Sequence, residues 1–327
     1  MKFSEKNNFL VSVIISAYNA EKYIKQTLDS VLQQTWSRLE IIVVNDGSSD
    51  NTPIILESYQ QLGIKLISQK NKGQDAALNA GFTQSKGQYI KFMDSDDLIN
   101  PEMIERQMNT LDGLEDHVAY AEWARFYDDK PDRADFRKLD YWEDMKPLDF
   151  LTSRPEGVML QCGIMLVPRN IIERVGLWDE RLILYNDTEF FNRVLLQSKG
   201  LKFTEGARLY YRSGLSSSIS AQKTRKFFES TFLATNLIAN QLLAVEDSYR
   251  IRNLISNTYL NQYYRMYPYF PDLIAAHEEQ INFYGSGSAK PTGGRIYKII
   301  KSLVGWKVAS RIQAFLYQMG YKPAKIQ

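Results

Sequence analysis

Between residues 11 and 94, short apolar runs alternate with segments of helical period, and this rhythm constrains the fold more than any other feature. The runs are VSVIISA (11–17), LEIIVVND (39–46), IKLIS (64–68) and QYIKFMD (88–94). Continuous β-branched runs of this length suit strands buried on both faces. After the first run, Tyr23, Ile24, Leu28, Val31 and Leu32 keep a helical period, with Asn19 as candidate N-cap. Thr52-Pro53 reads as the cap and first position of a second helix, and a third runs from about Asp75 to Gln84. Strand-helix-strand repetition with short links predicts an α/β chain. Its central sheet is mostly parallel and flanked by helices. Ligands of such sheets bind beyond the carboxyl ends of the strands.

Three polar segments fall at those ends: AYN (17–19), NDGSSD (45–50) and DSDD (94–97). Adjacent carboxylates at a strand end repel unless a cation compensates them. Hard oxygen ligands suit Mg²⁺ or Mn²⁺, which commonly take one or two protein carboxylates and complete their shell with substrate phosphates. A solvated acidic turn, with Asp97 capping the helix after Pro101, is the alternative. No G-x-G-x-x-G follows the first strand and no Walker lysine motif is present, so a bound nucleotide would lack a glycine-rich phosphate cradle. Asp46 suits a hydrogen bond from a base N–H, and Tyr18 lies in sequence where it could flank the base.

The segments 11–52, NKGQDAALNAG (71–81) and GQYIKFMDSDDLINP (87–101) closely resemble the family-2 glycosyltransferases of GT-A fold, in the family's order and spacing. GLWDERLILYNDTEFFNRV (176–194) resembles the family's acceptor-side segment more loosely. The resemblance implies that Ala17, Tyr18 and Asn19 border the nucleoside, that Asp46 reads the base, and that Asp94 lies near the ribose. It implies that Asp96 binds the metal bridging the diphosphate and that Asp187 is the catalytic base. The implied reaction is metal-assisted transfer of one sugar, with inversion, from a nucleotide sugar, UDP-linked in this reading, to a hydroxyl of a glycan or lipid-linked acceptor. The chain departs from the pattern in three places. Asn186 stands where the family usually has glutamate, Leu78 where many members have arginine, and Ser213-Gly214 where many have histidine. Arg212 is the candidate for the diphosphate. An N-cap role is the alternative for Asp187. The rival functions are a nucleotidyltransferase, whose basic glycine-rich loop SAYNAEKY does not match, and a non-catalytic sugar-nucleotide or glycan-binding module.

Beyond residue 100, HVAYAEWARFY (117–127), GIMLVP (163–168) and ARLYYRS (207–213) read as strands, and helical patterns dominate from about Ser220. SSSIS (216–220) marks the expected boundary. The domain reading is a GT-A catalytic domain over 1–219, with 1–100 for the nucleotide sugar and 101–219 for the acceptor, followed by a helical extension over 220–327. Trp178 is expected beneath the acceptor site, Cys162 in the core, and His117 and His277 in structural roles.

Charge is divided unevenly. Residues 281–327 carry eight Lys or Arg and no acid, whereas the first 280 carry 32 basic and 38 acidic groups. The stretch 293–325 forms an amphipathic helix interrupted near Gly305, suited either to an anionic membrane surface or to packing and oligomer contacts. With one cysteine, no signal-peptide pattern at the N-terminus and no apolar run of about 20 residues, the expected place is the cytoplasm, at the inner face of the cell membrane if the tail binds lipid. No nucleic-acid partner is expected.

Overall fold

The computed structural model describes residues 9–153, 160–215, 224–285 and 287–321. The chain divides into two compact units, residues 1–221 and 222–327. The expected boundary stretch, 216–220, lies outside the described residues.

The first unit begins with the anticipated alternation: β1 (Val11–Ala17), α1 (Ile24–Leu32), β2 (Leu39–Asp46), α2 (Thr52–Gln60), β3 (Ile64–Gln69), α3 (Gln74–Gln84) and β4 (Tyr89–Asp94). There follow β5 (Leu98–Ile99), α4 (Met103–Leu111), β6 (His117–Phe126), α5 (Pro147–Ser153), β7 (Met165–Pro168), α6 (Arg169–Val175), α7 (Asn186–Gln197) and β8 (Gly200–Arg212). One eight-stranded sheet has the order β3-β2-β1-β4-β7-β6-β8-β5. The pairs β3-β2, β2-β1 and β1-β4 are parallel, while β7 runs antiparallel to both β4 and β6. This is the mixed α/β architecture of the GT-A fold.

Every residue of β1 is buried, including Ser12 and Ser16, as a strand covered on both faces requires. Its register sets Ala17 beside Asn45 and Ser16 beside Asp94, so the three polar segments leave the sheet on one rim. Two cap expectations fail. Asn19 does not cap α1, whose N-cap position is Tyr23. Asn19 adopts φ 48°, and its side-chain oxygen accepts from Ser49 N at 2.8 Å, tying the β1 loop to the β2 loop. Thr52 is the first helical residue rather than the cap, and its hydroxyl accepts from Ala20 N at 2.8 Å. Both side chains serve a tertiary loop contact, which helical period does not encode.

Lys91 is fully buried in β4, where its ammonium donates to Gln107 Oε1 at 3.0 Å, and burial lowers its pKa to about 7. Phe92 of the same strand meets an aromatic cluster. Trp178 stacks on Phe190 at 4.1 Å between ring centroids, and Phe92 lies edge-on to both. Trp178 is therefore buried in the core, and it seats α7 on the sheet.

The second unit contains α8 (Arg225–Val245), α9 (Tyr249–Met266), α10 (Pro271–Tyr284) and α11 (Arg295–Gln318). His277 is buried, with Nδ1 against Leu273 O and Nε2 against Gln262 Oε1. His117 pairs with Asp116 in the first unit. Helix α11 is broken at Gly305, where φ is 78°. Tyr297 and Ala309 face inward, while Leu303 is 78 % and Met319 just beyond the helix 71 % exposed. Among the described residues no helix is long and apolar enough to cross a membrane.

Candidate active site

Asp46 organises the rim from the end of β2. Its Oδ1 accepts from Gln69 Nε2 at 2.8 Å and Lys72 N at 2.9 Å, and its Oδ2 accepts from Gly73 N at 2.8 Å. The carboxylate thus draws in the 71–73 loop and delivers the start of α3 to the rim. Gly47 permits this closeness. It sits at φ 71°, and a Cβ there would lie 2.7 Å from Asn71 N. Ala17 is buried at the end of β1, and Tyr18 beside it is 53 % exposed.

Asp94 closes β4, with Asp96 and Asp97 just beyond. Gln74 Nε2 donates to Asp94 Oδ1 at 2.7 Å, and the Cys162 thiol neighbours Asp94. Cys162 is buried, as expected, yet it borders the acids rather than a purely apolar core. Burial, then the Asp187 charge, pushes Asp94 up to about 6. Burial, then Asp94, pushes Asp96 up to about 7. Asp97 is raised well above the carboxylate range by burial and by both neighbours. Asp97 does not cap α4, whose N-cap position is Glu102. Its Oδ1 accepts from Arg212 N at 2.9 Å, and its buried Oδ2 has no hydrogen-bond partner.

Arg212, a candidate for the diphosphate, is only 5 % exposed. Its Nε donates to Asp96 O at 2.8 Å and one terminal nitrogen to Gln26 Oε1 at 2.6 Å, while the other pairs with Asp129. The guanidinium lies between the rings of Tyr23 and Phe126. With these protein partners, Arg212 braces the acidic loop from behind. Sequence alone does not separate a bracing arginine from one that faces ligand.

Asp187 lies in the first turn of α7, after Tyr185 in the left-handed region at φ 65°. Its Oδ1 accepts from Thr188 N at 2.6 Å, so a bond to the helix start coexists with its place beside Asp94. The positive end of the helix favours an ionised carboxylate there. The site therefore brings Asp94 and Asp187 within electrostatic reach, from strands and helices far apart in sequence.

Gln74, Asp75, Asn79, Gln26 and Asp129 escaped the motif reading. The signal for two of them was present, because Asp75 and Asn79 are polar residues one turn apart with only Ala76, Ala77 and Leu78 between them.

The acid cluster fits a divalent cation. Asp97 is buried and Asp94 and Asp96 are half-buried; Asp94 pushes Asp96 up, both push Asp97 up, and Asp97 Oδ2 is orphaned. Among the described residues no three Asp, Glu, His or Cys side chains form a ready-made metal cage. A cation of the Mg²⁺ type, brought with phosphates, needs only one or two carboxylates.

The chain matches the model of the family "Glycosyl transferase family 2" over residues 12–176. An uncharacterised glycosyltransferase of Rickettsia prowazekii is 31 % identical over 242 residues, covering 73 % of this chain and 70 % of that protein. A Rickettsia typhi glycosyltransferase is 35 % identical over 188 residues, and this match spans 57 % of the chain and 58 % of the relative. The putative glycosyltransferase EpsH of Bacillus subtilis is 30 % identical over 67 % of the chain and 65 % of its own length. In fold, the chain is similar to residues 1–349 of TarS of S. aureus, solved with UDP-GlcNAc. The TM-score is 0.65 at 19 % identity, covering 95 % of this chain and 92 % of that one. The alternating sheet, the acidic rim and the family match lead to one conclusion: the chain belongs to glycosyltransferase family 2.

Proposed function

We propose that the protein transfers a single sugar, with inversion, from a UDP-linked donor to a hydroxyl of a glycan or lipid-linked acceptor, assisted by Mn²⁺ or Mg²⁺. The observation carrying this reading is that the Asp187 carboxylate, at the start of α7, acts electrostatically on Asp94, at the end of β4. Residues 1–100 serve the donor and 101–219 the acceptor. Ala17, Tyr18 and Asn19 border the nucleoside, Asp46 accepts from the base, and Asp94 meets the ribose. Asp96 would hold the divalent ion, which would supply charge neutralisation at the diphosphate leaving group. Asp187 removes the acceptor hydroxyl's proton, a contribution of about 10²–10⁴-fold. A base acting opposite the leaving group gives direct displacement and inversion.

TarS bound to UDP-GlcNAc supports that compound as the first donor to assay. The test is Mn²⁺-dependent UDP release from a panel of UDP sugars. Asp187→Asn should abolish release while retaining UDP binding, and full activity in the variant refutes the base assignment.

The exposed apolar side chains of α11, among them Ile296, Ile299, Leu303 and Phe315, support an anionic membrane surface as a further partner. Lys298, Lys307 and Arg311 are exposed on the same helix. Deleting residues 293–327 should weaken cosedimentation with anionic liposomes. Unchanged cosedimentation favours a contact between copies of the chain instead.

A further inference from the structure

Two neighbouring residues at the start of α3 reach opposite halves of the site. Gln74 donates to Asp94, on the donor side. Asp75 accepts from Asn186 Nδ2 at 2.5 Å, at the start of the helix that carries Asp187. One turn along α3, Asn79 is bound at both ends of its amide. Its Oδ1 accepts from Trp178 N, and its Nδ2 donates to Trp178 O and Glu180 Oε1, all at 3.0 Å. Residues four apart share a helix face. That face of α3 therefore grips the acceptor-side segment at 178–180 and again at 186.

An acid is a costly residue to bury at position 75. Asp75 is 3 % exposed, and its Oδ2 has no hydrogen-bond partner. The charged groups that act on it are Asp187, Asp179 and Glu189. Asp179 is paired with Arg181 and Glu189 with Arg193, and Asp187 also raises Asp94. An alanine would fill the place without burying a carboxyl. What the acid adds is its bond to Asn186. The pair also accounts for the amide at 186, because a glutamate there would set one carboxylate against another.

We propose that Asp75 is a positioning residue for sugar transfer: through Asn186 it fixes the first turn of α7 and so aims the Asp187 carboxylate at the acceptor hydroxyl. This rests on Asp187 being the base. Asp75 touches no reacting atom. Asp187 is itself bonded to Thr188 N, so its direction follows that turn.

The test uses the full chain with Mn²⁺, UDP-GlcNAc, UDP-Glc, UDP-Gal and UDP-GalNAc as donors, and water as acceptor, with UDP release followed from pH 5.5 to 9. Asp187→Asn is the control for the base. Full release in that variant defeats the base reading, whatever the variants at 75 and 186 do. Asn186→Asp sets acid against acid. It should lower kcat about tenfold with KM little changed, since misaligned groups lose rate rather than binding. It should also raise the acid limb of the pH–rate profile by about one unit, through the added charge beside Asp187. The reciprocal double variant Asp75→Asn/Asn186→Asp restores the bond with donor and acceptor exchanged, and should recover most of the lost kcat. A merely structural contribution would lower the melting temperature and leave the kcat of the folded protein in place. Unchanged kcat and pH profile in Asn186→Asp overturn the proposal, as does a folded double variant with no recovery. If Asn186→Asp does not fold, Asn186→Ser replaces it; it should lose kcat at constant KM, and wild-type kcat in that variant equally overturns the proposal.

Discussion

Replacing Asp75 by asparagine should reshape how stability depends on pH. Burial pushes the Asp75 carboxyl from 3.8 up to about 7. Below about pH 4 both the folded and unfolded chains hold the proton. Between pH 4 and 7 the unfolded chain releases it while the folded chain retains it. Stability then falls with rising pH, by about 1.4 kcal/mol per unit. Above pH 7 both forms are ionised and the full deficit remains, at most about 4 kcal/mol. Asparagine keeps an oxygen for Asn186 and never ionises. It replaces the orphaned Oδ2 with an amide N–H₂, which costs about 1–3 kcal/mol if unsatisfied. The variant should therefore be no more stable than the wild type at pH 4.5. At pH 8 it should be more stable by about 1–3 kcal/mol, the deficit less the amide penalty. Urea unfolding at half-unit steps of pH gives the difference directly, from midpoints and slopes. Parallel stability curves for the two proteins would refute the argument, since they would mean that Asp75 ionises in the folded chain as it does in the unfolded one.

Asp96→Ala should remove the metal dependence of UDP binding. Calorimetry in Mn²⁺ and in excess chelator should differ at least tenfold for the wild type and little for the variant, and equal affinities in the wild type would contradict a metal at Asp96. Arg212→Met deprives Asp129 and the acidic loop of their cation, and should cost about 3 kcal/mol in urea unfolding; a change near zero would mean that the guanidinium braces nothing. Trp178→Ala opens the stack on Phe190 and should cost about 3–5 kcal/mol, with loss of transfer as α7 loosens.

The parallel half of the sheet was legible because strands buried on both faces are written as unbroken β-branched runs, and β1 and β2 match their runs residue for residue. Strand β8 begins at Gly200, well before the expected 207; Leu201 and Phe203 alternate with Lys202 and Thr204, but Glu205 and Gly206 break the pattern before Ala207 and hide its continuity. Two-residue β5 exists only by pairing with Leu209 and Tyr210, which no local pattern announces. Acidic positions at strand ends could be picked out because like charges seldom cluster there without a purpose. Partner choice could not. Asn19, Asp97 and Arg212 each bond across the fold to groups 30 or more residues away. Helical period says which face is covered, not by what, so the Asp75–Asn186 contact emerges only when α3 and α7 are set side by side.

Gly47 has no side chain of its own, yet it governs how closely the loops of this rim can approach. Any other residue there would need a left-handed backbone and would drive a methyl into Asn71, prising the 71–73 loop from Asp46. Gln74, which follows that loop, would lose its hold on Asp94 in turn. Mutational freedom along this rim thus narrows at a position that has no side chain at all.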